Sequence, residues 1–294
     1  MLEVAIHPDR PGEGPSEGEV MTTVETAAPD LEAVKRRQQR AWVSGDYSAV
    51  ASRIVLIAER LVDAADLRAG TTVLDVATGS GNSALAAARC GCDVTGIDYV
   101  PELLERGRVR AAAEGLPVEF VEGDAENLPY PDASFDAVLS CLGVMFTPNQ
   151  EQAAAELLRV CRPGGTIALA NWTPGGFVGQ MFRTVGRHVP PPPGVKPQGL
   201  WGTEERLAEL FGDGISQLTT NRREFVFRFR SSAEFADFFH QNYGPVHKAF
   251  EGLDDSGQQQ LQADLTALAT THDRAPGSSV AMASEYLEAI AVRR

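Results

Sequence analysis

Small and acidic residues at the ends of apolar runs are the part of this sequence best suited to chemistry. Val73–Asn82 reads VLDVATGSGN, an apolar run that leads into a turn with Gly79 and Gly81 and then into a helix-forming segment. Asp98 closes the next apolar run, 19 residues after Gly79. A strand, a glycine turn and a helix N-terminus form a cradle for a nucleotide, and an acid at about this spacing reaches ribose hydroxyls. The motif alone leaves open a tight turn without a ligand.

A second acid, Asp75, lies inside the first apolar run. A dinucleotide fold usually keeps this strand apolar because it is buried on both faces, and a lone buried carboxylate is costly. Asp75 therefore needs a partner. Two later segments add to the pattern: Gly123–Ser140 (GDAENLPYPDASFDAVLS) has an acid at a strand end, a turn and an apolar strand, and Leu157–Leu169 (LLRVCRPGGTIAL) has a helix end, a turn and a strand.

In these segments the chain resembles the class I S-adenosylmethionine-dependent methyltransferases, in their small-molecule (UbiE-like) branch. The matching segments are VLDVATGSGN, VTGIDYVPELLERGRVRA, VEFVEGDAENLPYPDASFDAVLS and ELLRVCRPGGTIAL. They follow one another in the family's order from about Leu67 to Asn171, roughly a third of the chain. One departure is that Ala77 stands at the family's first glycine position, and its small side chain leaves the expectation of binding unchanged.

The resemblance implies that S-adenosyl-L-methionine is the cofactor and that its methyl group passes to a small-molecule acceptor by in-line displacement. It implies that Asp75 and the backbone of Ala77–Gly81 hold the methionine part. Asp98 would bind the ribose hydroxyls, and Tyr99 would lie along the adenine. The alternatives are a turn or cap role for Asp98 and plain packing for Tyr99.

The resemblance also implies the rest of the cofactor cleft. Asp124 and Ala125 would meet the amino edge of the adenine, and Ser140–Leu142 would line the cleft beside the sulfonium. Tyr47 would bring an aromatic ring over the cofactor, unless it is only a surface residue at a helix start. The expected cofactor-binding residues are Tyr47, Asp75, Ala77, Thr78, Gly79, Gly81, Asn82, Asp98, Tyr99, Asp124, Ala125, Ser140, Cys141 and Leu142.

The acceptor side is less determined by the sequence. We find no convincing Ser/His/Asp or Cys/His constellation, and a general base is needed only if the acceptor must lose a proton. The candidates for such a role are His240, His247 and Tyr243, although a lone histidine on a helix is more often simply exposed. Further pocket candidates are Phe146, Trp172 and Trp201.

Two other classes of function remain open from the sequence. An NAD-dependent oxidoreductase would suit Asp98, but it would not explain Asp75 or the segment GDAENLPYPD, and Ala84 replaces a third glycine. A cofactor-binding protein without turnover would fit the missing catalytic base. Neither the acceptor nor the methylated atom (O, N or C) follows from the sequence, and neither does the oligomeric state.

Charge and composition limit the classes of partner that the chain could bind. The chain has 294 residues and a formal net charge of −14, which argues against nucleic acid because phosphate binding needs a clustered basic surface. The basic stretches Lys35–Arg40 (KRRQQR) and Arg222–Arg230 are interpreted as solvated faces. No apolar run has the length of a membrane span.

The sequence favours a cytoplasmic protein without a metal site. Residues 1–30 lack the apolar core of a signal peptide and are interpreted as a disordered tail, with Met21 as an alternative start. Cys90 and Cys92 are not followed by a second ligand pair with zinc spacing. We therefore expect free thiols in a reducing cytoplasm.

Strand-like and helix-like segments alternate from residue 67 onward, which predicts a doubly wound α/β sheet with right-handed crossovers. We expect a Rossmann-like, mostly parallel seven-stranded sheet whose last strand is antiparallel. The expected parts are lid helices at 31–66 (Leu31–Trp42 and Tyr47–Ala65), the cofactor-binding core at 67–230, a helical insertion at 231–277 (helices Ala233–Tyr243 and Ser256–Thr271) and a final segment at 278–294 with the last strand over Val280–Val292. A short helix is expected at Glu204–Phe211. The insertion and the connector Thr173–Leu200 are expected to cover the crevice at the carboxyl ends of the strands and form the acceptor pocket.

Overall fold

The computed structural model describes residues 29–274, 277 and 279–294. The strands are β1 (Thr72–Val76), β2 (Asp93–Asp98), β3 (Val118–Glu122), β4 (Phe135–Cys141), β5 (Cys161–Trp172), β6 (Ile215–Phe229) and β7 (Val280–Arg293). The α-helices are α1 (Leu31–Val43), α2 (Tyr47–Arg53), α3 (Val55–Ala64), α4 (Asn82–Arg89), α5 (Pro101–Glu114), α6 (Gln150–Val160), α7 (Phe177–His188), α8 (Glu204–Phe211), α9 (Ser232–Asn242), α10 (Gly244–Glu251) and α11 (Asp255–Thr271). The expected disordered tail, except for residues 29 and 30, and the alternative start at Met21 lie outside the described residues.

All seven strands form one sheet in the order β3-β2-β1-β4-β5-β7-β6. Strand β1 pairs in parallel with β2 and β4, β2 pairs in parallel with β3, and β4 pairs in parallel with β5. Strand β7 runs antiparallel between β5 and β6. The predicted fold class is therefore confirmed, including the antiparallel last strand.

The centre of the sheet is buried on both faces, as its apolar strands require. Val73, Leu74 and Leu139 are fully buried in β1 and β4. Helix α5 lies close against β3 because it has glycine at the point of contact. A Cβ atom at Gly107 would lie 2.7 Å from the ring of Phe120. The close packing of helices on this sheet fixes the ends of the strands in one place, and the loops that follow them meet there.

Helix α7 is not predicted by the sequence patterns, which assign its residues to the connector Thr173–Leu200. Gly179 and Gly186 lie inside the helix, and glycine lowers helix propensity by about 1 kcal/mol relative to alanine. At Gly179 the glycine is needed, because a Cβ atom would lie 2.3 Å from the carbonyl oxygen of Thr173. Tertiary packing of Phe177 and its neighbours outweighs the weak propensity.

The described residues between β6 and β7 form three helices rather than the expected two. The expected helices Ala233–Tyr243 and Ser256–Thr271 correspond to α9 and α11. Helix α10 lies between them. Tyr243 caps the end of α9 and directly precedes α10, whose first turn contains Pro245. Helix α10 packs against α1, so the insertion contacts the N-terminal helices.

The single expected helix Tyr47–Ala65 is divided at Ile54. The amide of Ile54 bonds to the carbonyl of Ala51 at 3.2 Å, so the chain tightens there and starts again as α3. Helix α3 packs on α4, β4 and β5 and belongs to the helical layer of the sheet. Within the described part of segment 31–66, only α1 and α2 lie over the strand ends.

Candidate functional site

A cavity of about 930 Å³ lies where the carboxyl ends of β1, β2, β3 and β4 meet the N-terminal helices; it is called the main cavity below. The expected cofactor-binding residues that line it are Tyr47, Asp75, Ala77, Thr78, Gly79, Asn82, Asp98, Tyr99, Asp124, Ala125, Cys141 and Leu142.

Two expected residues, Gly81 and Ser140, do not line the main cavity. Gly81 faces the core, where a Cβ atom would lie 2.8 Å from the ring of Phe120. The hydroxyl of Ser140 is buried, donates to the carbonyl of Val76 at 2.7 Å and accepts from the amide of Val144 at 2.9 Å. Both residues shape the walls of the cavity from behind.

Asp75 is almost completely buried, at 1% exposure, yet it lines the main cavity. Its Oδ2 accepts a hydrogen bond from Thr78 Oγ1 at 2.5 Å and one from the amide of Ala84 at 2.9 Å. Among the described residues, none donates to its Oδ1. Burial raises the pKa of the Asp75 carboxyl to about 7, although the two hydrogen bonds lower it. A cation at the open oxygen would favour the charged form.

Asp98 fastens the glycine turn to β2. Its Oδ2 accepts from the amide of Gly79 at 2.8 Å, and its Oδ1 accepts from the amide of Val100 at 3.0 Å. Burial raises the pKa of the Asp98 carboxyl to about 6 against these bonds. Each carboxylate oxygen can accept a further hydrogen bond. The turn role that the sequence left open is therefore present and leaves room for two donors from the cavity.

The turn between β1 and α4 adopts left-handed backbone geometry at three positions. Gly79 and Gly81 have φ of 56° and 85°, and Ala77 has φ of 53°. Glycine has no penalty in this region, whereas an alanine residue pays roughly 1–2 kcal/mol. The strain at Ala77 lies in the wall of the main cavity, next to Gly143, where a Cβ atom would lie 2.8 Å from the Ala77 Cβ.

Helix α1 is joined to the cavity by an ion-pair cluster that the sequence did not predict. The Lys35 Nζ lies 2.6 Å from Asp124 Oδ2 and 2.8 Å from Glu126 Oε2. Burial lowers the pKa of Lys35, but the two carboxylates raise it more, so the ammonium stays charged. Asp124 Oδ1 also accepts from the amide of Glu126 at 2.9 Å. The expected adenine-binding acid thus already has a lysine partner.

Two more side chains of α1 contact the same edge. Gln38 Nε2 donates to the carbonyl of Phe146 at 3.0 Å, and Gln39 Nε2 donates to the carbonyl of Tyr99 at 2.6 Å. With Lys35 they lie at helical spacing i, i+3 and i+4 on one face. The interpretation of KRRQQR as a solvated face is therefore wrong for these three residues, while Arg36, Arg37 and Arg40 are exposed.

The charges in the wall indicate what the main cavity can hold. Asp75, Asp98, Asp124 and Glu126 line it, and among the described lining residues Lys35 is the one basic side chain. Lys35 is already paired with two acids. These carboxylates would repel a pyrophosphate. An ammonium group and a diol could donate hydrogen bonds to these carboxylates, and their negative charge would attract a sulfonium, so the lining fits S-adenosyl-L-methionine.

A smaller cavity with room for about one water molecule, called the inner cavity, adjoins the main one and shares Tyr47, Ile54, Leu142 and Phe146 with it. Its lining is Tyr47, Val50, Ile54, Leu142, Phe146, Trp172, Val178, Met181, Phe227, Phe239 and Tyr243. The expected pocket residues Phe146, Trp172 and Tyr243 thus meet here. The insertion contributes Phe239 and Tyr243, and the connector contributes two residues of α7.

The other acceptor-side candidates lie away from both cavities. His240 stacks on Phe250 with ring centroids 3.8 Å apart, and His247 pairs with the carbonyl of His240 and with Glu251, each at 3.1 Å. Neither histidine lines the main or the inner cavity. Trp201 is fully buried and lines neither as well. The geometry gives these three residues no contact with a ligand in either place.

The described residues contain no group of three or more His, Cys, Asp and Glu side chains that could hold a metal ion, and all four cysteines are free. Within the same part of the chain, none of the helices combines the length and the apolar character needed to cross a membrane.

Residues 74–169 match a protein family described as "Methyltransferase domain". An uncharacterized protein of Mycobacterium tuberculosis is 39% identical over 255 residues, which are 85% of this chain and 93% of the relative. The demethylmenaquinone methyltransferase of Thermus thermophilus is 38% identical over 154 residues, which are 51% of this chain and 70% of that enzyme.

Among solved structures, the YcgJ protein from Bacillus subtilis is similar in fold. Its TM-score is 0.56 at 19% sequence identity, and the match covers 81% of this chain and 97% of that one. At this identity the likeness concerns the fold alone.

Proposed function

This chain belongs to the class I S-adenosylmethionine-dependent methyltransferases, and we propose that it methylates a small molecule. S-adenosyl-L-methionine is its cofactor. The observation that carries the proposal is the pair of adjoining cavities: an acid-rich main cavity at the strand ends and an apolar inner cavity beside it. The relatives named demethylmenaquinone methyltransferase support an acceptor of small-molecule size.

We assign the binding of the cofactor to the walls of the main cavity. Asp75 would accept the ammonium group of the methionine part through its open Oδ1. Asp98 would accept the ribose hydroxyls through the lone pairs that Gly79 and Val100 leave. Asp124 and the adjacent Ala125 would lie at the adenine end. Charge-assisted bonds of this kind are shorter and stronger than neutral ones.

When bound, S-adenosyl-L-methionine supplies a methyl group on a positively charged sulfur, and a nucleophilic atom of the acceptor takes it by in-line displacement. The chain itself has to hold both partners in line, a contribution of roughly 7–11 kcal/mol at best. Tyr47, Leu142 and Phe146 form the boundary between the cavities and would set this alignment. Helix α1 would keep water out by its contacts through Lys35 and Gln38.

The lining of the two cavities bears on the alternative functions and on base catalysis. A nicotinamide dinucleotide would place its pyrophosphate beside Asp75, where the described lining offers no free cation to balance the phosphate charge. Membership of the methyltransferase family also argues against an oxidoreductase. No histidine lines either cavity among the described residues. We therefore propose transfer to an acceptor atom that needs no base from the inner cavity.

We also propose a cytoplasmic location, because Cys90, Cys92, Cys141 and Cys161 are all free.

Titration calorimetry tests this function. S-adenosylhomocysteine, the demethylated product, should bind with micromolar affinity, about −8 kcal/mol, and NADH should give no heat. A clear signal with NADH and none with either S-adenosyl compound would refute the proposal. The same protein should then release S-adenosylhomocysteine from S-adenosyl-L-methionine in the presence of a suitable acceptor.

A further inference from the structure

The lining of the main cavity leaves one charge of the proposed cofactor without a partner. The methionine part of S-adenosyl-L-methionine carries a carboxylate as well as an ammonium group. Lys35 is the one basic side chain among the described lining residues, and it is paired with Asp124 and Glu126 at the expected adenine end. Asp75, at the expected methionine end, has the same sign of charge as the carboxylate. The described lining therefore offers this carboxylate no free cation.

A cation lies directly behind this wall, on helix α5. The Arg110 Nη1 donates to the carbonyl of Ser80 at 2.6 Å, to the Ser80 hydroxyl at 3.3 Å and to Asn82 Oδ1 at 2.8 Å. Ser80 and Asn82 both line the main cavity, and Arg110 is not one of the described lining residues. Arg110 thus holds the glycine turn, which is expected to bind the methionine part, from the side away from the cavity.

The charge of Arg110 is not balanced by an ion pair with any described residue. Its three hydrogen bonds all go to uncharged groups. The acid that attracts it, Glu114, is itself paired with Arg89 at 2.7 Å. Burial outweighs that attraction and lowers the pKa of Arg110. A guanidinium stays charged in proteins, so a partly buried one without a counter-ion is costly until an anion comes close.

Asn82 connects the guanidinium to the cavity. Its Oδ1 is held by Arg110, and its Nδ2 donates to the carbonyl of Ala51 in α2 at 3.0 Å. An amide nitrogen has two N–H donors, so one remains for a ligand. A hydrogen bond from a cation to the amide oxygen polarises the amide and makes its nitrogen a stronger donor. The positive charge of Arg110 is thereby presented at the cavity wall by a neutral side chain.

We propose that Arg110 is the counter-charge for the carboxylate of the methionine part and that it acts through Asn82 and Ser80 rather than by direct contact. The inference rests on the proposed function, because it adds a partner to that cofactor site. It makes Arg110 a positioning residue that favours ligands with an intact amino-acid end. It assigns Arg110 no part in the transfer of the methyl group.

The test compares S-adenosylhomocysteine with its decarboxylated form, which keeps the amino group, the ribose and the adenine. Calorimetry on the full chain measures both affinities and their ratio. The parent should bind S-adenosylhomocysteine at least tenfold more tightly, since a hydrogen bond to a charged group contributes about this much. Arg110→Gln keeps a donor but removes the charge, and it should lower the ratio about tenfold. Arg110→Lys keeps the charge and should preserve most of the ratio.

Arg108→Gln is the matched control, because Arg108 lies on the same helix and donates to the carbonyl of Phe120 at 2.7 Å. This variant should keep the parent ratio. A glycine turn that is merely loosened would bind both ligands more weakly and leave the ratio unchanged in Arg110→Gln, and that result overturns the proposal.

Two further results would overturn the proposal. One is a parent that binds the two ligands equally, which needs no variant to be folded. The other is a ratio in Arg110→Lys as low as in Arg110→Gln, because the charge would then not be what matters. A parent that binds neither ligand would instead refute the proposed function.

Discussion

Asp75 and Asp98 show how single residues serve the fold and the site together. Each carboxylate accepts a hydrogen bond from a backbone amide after β1, Asp75 from Ala84 in the first turn of α4 and Asp98 from Gly79 in the β1–α4 turn. Each also lines the main cavity with acceptor capacity left over. The sequence could single out both residues because an acid in or after a buried strand is unusual. It could not show that the same oxygens are already in use by the backbone.

Asp98→Ala should weaken binding of S-adenosylhomocysteine by about 2–3 kcal/mol, because the ribose hydroxyls lose their acceptors in a closed site. Asp98→Asn should be milder. Calorimetry gives the affinity, and thermal unfolding separates it from a loosened turn. Asp93→Ala, at the exposed start of the same strand, is the matched control and should bind like the parent. Parent-like affinity in Asp98→Ala would show that the ribose lies elsewhere.

The affinity for S-adenosylhomocysteine should rise with pH between 6 and 7.5. The carboxyl pKa of Asp75 is about 7 without ligand, and only the charged form attracts the ammonium group. Below that pKa, the expected increase in the affinity for S-adenosylhomocysteine approaches tenfold per pH unit. Asp75→Asn should bind weakly and show little slope over this range. A parent affinity that is flat with pH would contradict the assignment.

The same shift predicts a stability trend without ligand. The folded-state pKa of Asp75, about 7, is above its ordinary value of 3.8, so the folded state holds the proton more tightly. The stability from this group is fully present below about pH 4 and is lost as the pH rises through about 7. Thermal unfolding across this range, with Asp75→Asn as the control, measures the contribution.

Ala77→Gly should stabilise the protein by about 0.5–1 kcal/mol, because glycine relieves the strain of the left-handed backbone. The larger conformational entropy of glycine in the unfolded chain offsets part of this gain. Ala133, exposed and also left-handed with φ of 54°, should respond in the same direction when changed to glycine. The helical and exposed Ala112 should lose about 1 kcal/mol on the same change. Denaturant unfolding of the three variants compares them. Destabilisation by Ala77→Gly would show that the packing of the Ala77 Cβ stabilises the fold by more than the backbone strain costs.

At the scale of elements, the strongly patterned segments were the predictable ones. Helix α8 matches its expected span Glu204–Phe211, and β7 differs from its expected span by one residue, because periodicity and caps mark these ends. Helix α7 and the break at Ile54 were missed, since packing decides both against local propensity. The contact of α1 with the cavity was missed for another reason: a charged run looks solvated until its partners, here Asp124 and Glu126, come from 89 or more residues away.

Helix α1 should act as a lid held by Lys35. Lys35→Ala should raise hydrogen exchange of Leu31–Val43 roughly 5–30-fold, which corresponds to about 1–2 kcal/mol for a partly exposed ion-pair cluster. Arg36→Ala removes an exposed charge from the same helix and should leave exchange unchanged. Equal exchange in the parent and Lys35→Ala would mean that packing of α1, not the ion pairs, keeps the cavity covered.

At the scale of the whole molecule, segments that are far apart in sequence lie side by side next to the two cavities. The α1–α2 turn and the α9–α10 junction touch through Gly45 and Gly244; next to them, Tyr47 lines both cavities and Tyr243 lines the inner one. The sequence could predict the sheet and the strand-end loops that line the main cavity, since these depend on local motifs in a fixed order. It indicated that the insertion and the connector Thr173–Leu200 would reach the crevice. It could not show which of their side chains meet in the inner cavity, because the walls come from four separated segments whose shared property is only that they are apolar.

The structure of the full chain with bound S-adenosylhomocysteine tests the main cavity as the methyl-donor site most directly. We predict ribose hydroxyl oxygens within about 3 Å of the Asp98 carboxylate, the amino group at Asp75 Oδ1, and the sulfur directed at the boundary of the inner cavity near Leu142. A product molecule bound outside the main cavity, or one whose ribose does not reach Asp98, would contradict the proposed site.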